Sequence, residues 1–425
     1  MRILAACSVL MASLLLGGCT VADANKSAQD AQPQSLGALG LPLVPWEGGP
    51  AYWNQFPKAA KGGWTDPSFF PIVVWFNGVS SQEEIDYDKK LGINTYIGMP
   101  EDFDAAWLDD NGQFYIGASL NDTFSVDTPS WVGYLMDDEV DGRYEAAAGR
   151  EHLAALRADK PKGLFGYSNY TYMVLENDMK ESDVSAYVND FTDVVSVDKY
   201  WYTIPHCSND PYRDVSLLPV AQESCRSSSS YGRTMQSLRV RDAMDGKLQP
   251  LWQFVENMTG ADLEQNFTGN ISPDQLRGAV MNSLINEARG IVYFNQAFAG
   301  DCKGGNVFRL AQVQEGYCGA EQVKAARKIN SQIHELAPVL NTQTLDFTTS
   351  ESVDSMLKVV DGSAYFFAMP APGAAPGQVV MSLPEGVTGT SVEVLFEDRK
   401  LPVSDGTWTD SFAHEYSYHI YKVKL

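Results

Sequence analysis

Positive charge is scarce in this chain. Against 54 Asp and Glu it carries 31 Lys and Arg, a formal net charge of −23 at pH 7. That balance argues against nucleic acid and anionic lipid headgroups as partners, because a phosphate surface would be repelled. It is compatible with a neutral or cationic ligand. Other absences exclude particular chemistries. The first strand-like run is followed by Phe76-Asn77-Gly78-Val79-Ser80 rather than Gly-x-Gly-x-x-Gly, so a dinucleotide-binding domain is not expected. A Gly-x-Ser-x-Gly elbow and a His-Glu-x-x-His pair are also missing, which argues against a serine hydrolase and a zinc hydrolase. No cofactor and no metal is expected. Apart from the N-terminal segment, no stretch is long and apolar enough to span a bilayer.

Cysteines are few, six in all. Cys7 and Cys19 belong to the first segment, where Arg2 precedes an apolar run from Ile3 to Leu16. Leu16-Gly17-Gly18-Cys19 then matches a bacterial lipoprotein box in which Cys19 is lipidated. An ordinary secretory signal is the alternative, and both readings predict export to the cell envelope or beyond. Residues 1–19 are therefore read as signal and lipidation site, with membrane contact through the lipid anchor only. Residues 20–40, rich in Ala, Ser, Gln and Asp, are read as a flexible tether. The other four cysteines fall into two local pairs, Cys207 with Cys225 and Cys302 with Cys318, expected as disulfides of an oxidising compartment. A zinc site is the competing reading, but neither pair has Cys-x-x-Cys spacing and the five histidines do not cluster beside them.

A chain of 425 residues with 44% apolar content can bury a large core. From about residue 66 to 340 it alternates strand-like and helix-like segments. The strand candidates are Phe70 to Asn77, Ile93 to Met99, Phe114 to Ser119, Trp131 to Met136, Gly163 to Ser168, Val194 to Tyr202, Leu251 to Val255 and Gly290 to Asn295. Helical patterns lie at Ser81 to Leu91, Tyr144 to Ala158, Glu181 to Phe191, Gly232 to Ala243, Ser272 to Ala288 and Ala320 to Leu336. Ser81 and Ser272 sit at the N-cap positions, and Gly92 stops the first helix. Eight strands with mostly helical connections predict an α/β fold, a (β/α)8 TIM barrel over residues 41–340.

Past Leu340 the pattern shortens. Met356 to Val360, Ala364 to Ala368, Val379 to Leu383, Ser391 to Phe396 and Tyr416 to Val423 alternate between turn signals such as Asp361-Gly362 and Asp405-Gly406. They predict a small C-terminal antiparallel β-sandwich domain over residues 341–425, either a structural appendage or a sugar-binding module.

The stretch Trp131 to Gly142, WVGYLMDDEVDG, delivers Asp137, Asp138 and Glu139 at the end of the fourth strand. A solvated acidic loop is the bland reading. The seventh strand, however, ends in Glu256-Asn257, which puts a second carboxylate on the same carboxyl-terminal face of the barrel. Two carboxylates are the minimum for breaking a glycosidic bond: one protonates the leaving oxygen, the other attacks the anomeric carbon or activates water.

On these residues the barrel region resembles the clan A glycoside hydrolases, with no single family assignable. The resemblance implies a retaining mechanism with Glu139 as acid/base and Glu256 as nucleophile, and an oligo- or polysaccharide as substrate. One position departs from the pattern, because clan A members usually carry Asn before the acid/base, where this chain has Asp138. An aspartate accepts a hydrogen bond from a sugar hydroxyl but cannot donate one. Asp137-x-Glu139 and Asp138-Glu139 are also similar to the fourth-strand acids of chitinase-like and hexosaminidase-like enzymes, in which an aspartate orients a substrate acetamido group as nucleophile and no glutamate after the seventh strand is required. A third arrangement pairs a fourth-strand aspartate nucleophile with Asp198 on the sixth strand. A glycan-binding lipoprotein without catalysis is the reading from a different class.

For the retaining mechanism, crowding by Asp137 and Asp138 is expected to keep Glu139 protonated, while Glu256 stays ionised. Substrate contacts are expected from Asp138, Trp75, Asn77, Asn169, Tyr200, Tyr202, Trp252 and Asn295, since aromatic faces stack on sugar C–H faces and amides bond hydroxyls.

Overall fold

In the computed structural model the described residues are 37–204, 207, 216–221, 224–259, 269–298, 300 and 302–425. The expected signal, Cys19 and nearly all of the expected tether lie outside them. Eight parallel strands close into a barrel in sequence order: β1 Ile72–Trp75, β2 Thr95–Ile97, β3 Phe114–Ile116, β4 Trp131–Asp138, β5 Phe165–Tyr170, β6 Val194–Val197, β7 Leu251–Glu256 and β8 Gly290–Phe294. The last pairs with the first, Ile72 to Ile291 through Trp75 to Phe294. All eight expected strands are present, most of them shorter than the apolar runs that announced them.

Local chemistry sets the helix ends. Ser81 Oγ accepts from Glu84 N–H at the start of the helix Gln82–Leu91, and Gly92 ends it in the left-handed region at φ 83°. Ser272 and Gln275 form a reciprocal capping box ahead of Pro273–Ile285. The helix expected from Gly232 begins one turn earlier, at Ser228. A run of serines weakened the helical pattern there, yet the side chains pack inward.

Two apolar shells hold the barrel. The outer one packs strands against helices. The inner one fills the barrel and is plugged at the amino end by Trp53, Phe56, Ala59 and Trp64, from the segment before β1. Trp64 lies 5.4 Å from Phe165 and 6.3 Å from Trp252, ring centre to ring centre. A Cβ on Gly290 would stand 2.6 Å from the Trp252 ring, so β8 has no side chain where β7 places its largest. With one mouth sealed, the carboxyl end is left for a site.

Beyond the helix Ala320–Leu340 the chain forms seven antiparallel strands: β9 Val353–Val360, β10 Ser363–Pro370, β11 Gly377–Ser382, β12 Ser391–Val394, β13 Arg399–Pro402, β14 Thr407–Phe412 and β15 His419–Lys424. Five make one sheet in the order β13-β12-β15-β10-β9, and β11 pairs with β14 in a second. Trp408 of the small sheet meets Phe366 and Tyr421 of the large one at 5.3 and 5.4 Å, giving the expected sandwich-like core. Strands β13 and β14 carry no marked apolar alternation and were not anticipated. Leu39, Leu41 and Leu43 pack on this C-terminal core, so residues 37–40, expected as tether, are tied down.

Candidate active site

Strand β4 decides which acids enter the barrel. Its register against β5 shifts between Leu135 and Asp137, so that Asp137 pairs with Ser168 and Asp138 with Asn169. Such a bulge re-aims the side chains that follow it. Asp137 turns outward, where it binds Arg143 and sits 2.6 Å from His152 Nε2. Asp138 turns inward and accepts from Asn169 Nδ2 at 2.9 Å. Asn169 is oriented in turn, because its Oδ1 accepts from Ser196 Oγ at 2.8 Å, and Ser196 meets the Tyr167 hydroxyl at 2.6 Å. Burial raises the Asp138 carboxyl to about 6, against the pull of Asn169.

Glu139 follows in the left-handed region, φ 52° and ψ 35°, with its N–H donating to Asn169 O at 2.8 Å. A non-glycine residue in this conformation costs roughly 1–2 kcal/mol. The strand pairing and the short helix Val140–Arg143 that starts immediately after it hold the strain in place. Asp198, just past β6, hydrogen-bonds the Glu139 carboxylate. Burial first, then the fields of Glu139 and Asp138, push the Asp198 carboxyl well above the usual range. The hydrogen bond with Glu139 raises Asp198 further.

Glu256 ends β7 and is fully buried. The Tyr231 hydroxyl lies 2.8 and 2.7 Å from its two oxygens, and the Thr203 hydroxyl 3.2 Å from Oε1. Burial raises it to about 7 in spite of those donors. It therefore titrates near neutrality, rather than staying ionised as the sequence reading expected. Tyr231 was not anticipated at all: it stands at the end of Ser228-Ser229-Ser230, a stretch with no motif to mark it.

The acids come together around Tyr200. Tyr200 is partly buried as a residue, and its hydroxyl titration is raised first by burial and then by Asp198, Glu256, Asp138 and Glu139 in that order. Carboxyls from β4, β6 and β7 thus act on one phenol. Trp75 is buried, edge-on to Phe76 at 4.6 Å and Phe254 at 5.4 Å.

Four expected substrate contacts are placed elsewhere by the structure. Trp252 is fully buried in the amino-end plug, because the inward positions of a strand in a filled barrel include its base as well as its tip. Asn77 and Asn295 are spent on each other and on the scaffold. Asn77 donates to Asp88 at 3.0 Å, and Asn295 donates to Asn77 at 3.3 Å and Asn306 at 2.9 Å. Tyr202 is buried, with its hydroxyl on Glu415 at 2.7 Å.

Both disulfides form, Cys207–Cys225 and Cys302–Cys318. Among the described residues no group of three or more His, Cys, Asp or Glu is arranged to hold a metal ion, and no helix is long and apolar enough to cross a membrane.

No family model and no curated protein matches the chain. Some solved structures resemble it in part. A glycoside hydrolase family 30 subfamily 8 xylanase from Clostridium acetobutylicum superposes with a TM-score of 0.44 at 12% identity, covering 84% of this chain and 96% of the xylanase. An isomaltulose synthase from Klebsiella gives 0.48 at 8% identity, over 83% and 99%. A glycoside hydrolase family 5 protein from Bacteroides vulgatus gives 0.44 at 9% identity, over 84% and 89%.

Proposed function

We propose that the protein is a glycoside hydrolase that cleaves an exported or environmental oligo- or polysaccharide with retention of configuration. The observation that carries this reading is the gathering of Asp138, Glu139, Asp198 and Glu256 about the single phenol of Tyr200 at the open end of a plugged barrel. In this reading Glu139 protonates the leaving oxygen while Glu256 attacks the anomeric carbon. Glu139 then takes a proton from the water that releases the sugar. Asp198 keeps a proton within one hydrogen bond of Glu139. Tyr231 and Thr203 hold Glu256 and favour its charged form, and Asp138, oriented by Asn169, offers an acceptor to a sugar hydroxyl. The lipid on Cys19 anchors the enzyme at the cell envelope, and the two disulfides suit that oxidising location.

The test is hydrolysis of a panel of aryl glycosides and polysaccharides by the parent, Glu139→Gln and Glu256→Gln. Loss in both variants supports the assignment, whereas variants that match an active parent remove it. A parent that binds glycans without hydrolysing any of them favours the binding-protein reading.

The enclosure of Glu256 favours a second arrangement, in which Asp138 is the nucleophile and Asp198 the acid. Under it Asp138→Asn abolishes turnover and Glu256→Gln retains it.

A further inference from the structure

We propose that Glu415, on the loop before β15, is a positioning residue for Glu256. It clamps Tyr202 and the first turn of the helix Ser228–Asp242, and through them holds Tyr231 on the buried carboxylate. The inference rests on the reading of Glu256 as nucleophile, and it gives the C-terminal sheets a part in the barrel site.

Each link is a hydrogen bond. Glu415 Oε1 accepts from the Tyr202 hydroxyl at 2.7 Å and its Oε2 from the Ser228 N–H at 2.8 Å. The Tyr202 hydroxyl also meets Ser228 Oγ at 2.8 Å, which joins the two anchors to each other. Tyr202 N–H donates to the Tyr231 oxygen at 3.1 Å, and Tyr231 donates to Glu256. Tyr231 lies three residues after Ser228, on the same face of the helix one turn on. A single carboxylate therefore fixes both supports of the phenol that bonds Glu256.

The approach is close by construction. A Cβ on Gly278 would fall 2.4 Å from Ser228 Oγ and 2.7 Å from Tyr416 Cβ. The bare backbone there lets the 414–416 loop reach the start of the Ser228 helix.

Titratable groups facing Glu256 come from several elements. Tyr231 on the helix, Tyr200 and Tyr202 after β6 and Arg226 before the helix all feel it, and His414 stands beside Glu415. Of these, the Tyr231 bond pulls the Glu256 titration down. Loosening the clamp must therefore raise the Glu256 titration. Glu415→Gln keeps one oxygen to accept from the Ser228 N–H, and its NH2 can donate to the Tyr202 hydroxyl, so both anchors stay tied and the titration must not rise.

The experiment uses the full chain as parent, Glu415→Ala, Glu415→Gln and Tyr231→Phe. The buried carboxyl is followed by infrared pH titration of its C=O band, identified by its loss in Glu256→Gln. Glu415→Ala and Tyr231→Phe are expected to raise the midpoint by about half a pH unit or more, and Glu415→Gln is not. On 2,4-dinitrophenyl glycosides Glu415→Ala is expected to lower kcat about tenfold with KM little changed. A Glu415→Ala protein with a lower Tm and an unmoved midpoint overturns the proposal, leaving Glu415 a purely structural contact. Should that variant not fold, Tyr202→Phe removes only the hydroxyl that Glu415 accepts from, and an unmoved midpoint there overturns the proposal equally. A shifted midpoint with a fully active Glu256→Gln keeps the clamp and removes Glu256 as nucleophile.

Discussion

Asn169 on β5 donates to Asp138 on β4 at 2.9 Å, with its amide orientation fixed from the far side by Ser196. The Asn169 amide is thus turned onto Asp138, which holds that carboxyl in place. Ser196→Ala removes the donor that holds Asn169, leaving Asn169 Oδ1 buried without it. The expected cost is about 1–3 kcal/mol of stability and a KM that rises more than kcat falls. A urea melt with steady-state kinetics reads both. Unchanged KM in a destabilised variant would separate Asn169 from substrate binding.

Glu139 and Glu256 should respond differently to the leaving group. An acid/base variant loses most on substrates whose leaving oxygen needs a proton, about 10²–10⁴-fold, and much less on dinitrophenyl glycosides. A nucleophile variant loses on all of them. The kcat/KM of Glu139→Gln and Glu256→Gln across a leaving-group series decides this, and parallel losses in the two would contradict the separate roles.

Glu256 is raised to about 7 by burial, and a nucleophile must be ionised. Activity should therefore fall as pH drops through about 7. Tyr231→Phe, which removes a donor to the charged form, should move that acid limb to higher pH. A pH profile of kcat/KM for parent and variant checks the sign; a limb that stays put or moves down opposes it.

Asp242 is buried at the last position of the helix Ser228–Asp242, hydrogen-bonded by Gln249, and burial raises it to about 7. An acid with a raised folded pKa takes up its proton earlier in the folded than in the unfolded state. Its penalty is absent below the unfolded value near 4 and grows as pH rises through about 7. Asp242→Asn should therefore gain stability over the parent as pH goes from 4 to 8, by on the order of 2–4 kcal/mol at most. Tm measured across that range would show the two curves diverging; parallel curves would contradict the linkage.

Trp252→Phe should lower stability by on the order of 1–3 kcal/mol and leave KM unchanged, because the indole lies in the amino-end plug. A raised KM at unchanged stability would return Trp252 to the cleft. This residue also marks the limit of sequence reading. Apolar runs ending in acids at Glu139 and Glu256 placed both strands correctly, since burial on both faces and a polar tip are visible in composition. Which residue of a run faces inward, and at what height, depends on register and bulges. The shift between Leu135 and Asp137 turned Asp137 out and Asp138 in, and no periodicity announced it. Tyr231 and Glu415 were illegible for another reason: they reach Glu256 across 25 residues in one case and through Tyr202 across 213 in the other.

The nucleophile, on which the retaining account rests, is tested most directly by trapping. The parent is incubated with a panel of 2,4-dinitrophenyl 2-deoxy-2-fluoroglycosides and the labelled peptide identified by mass spectrometry. A covalent sugar on Glu256, absent from Glu256→Gln, is the predicted result. A sugar on Asp138 would contradict the account and establish the aspartate arrangement instead, and a sugar on Asp198 would contradict both.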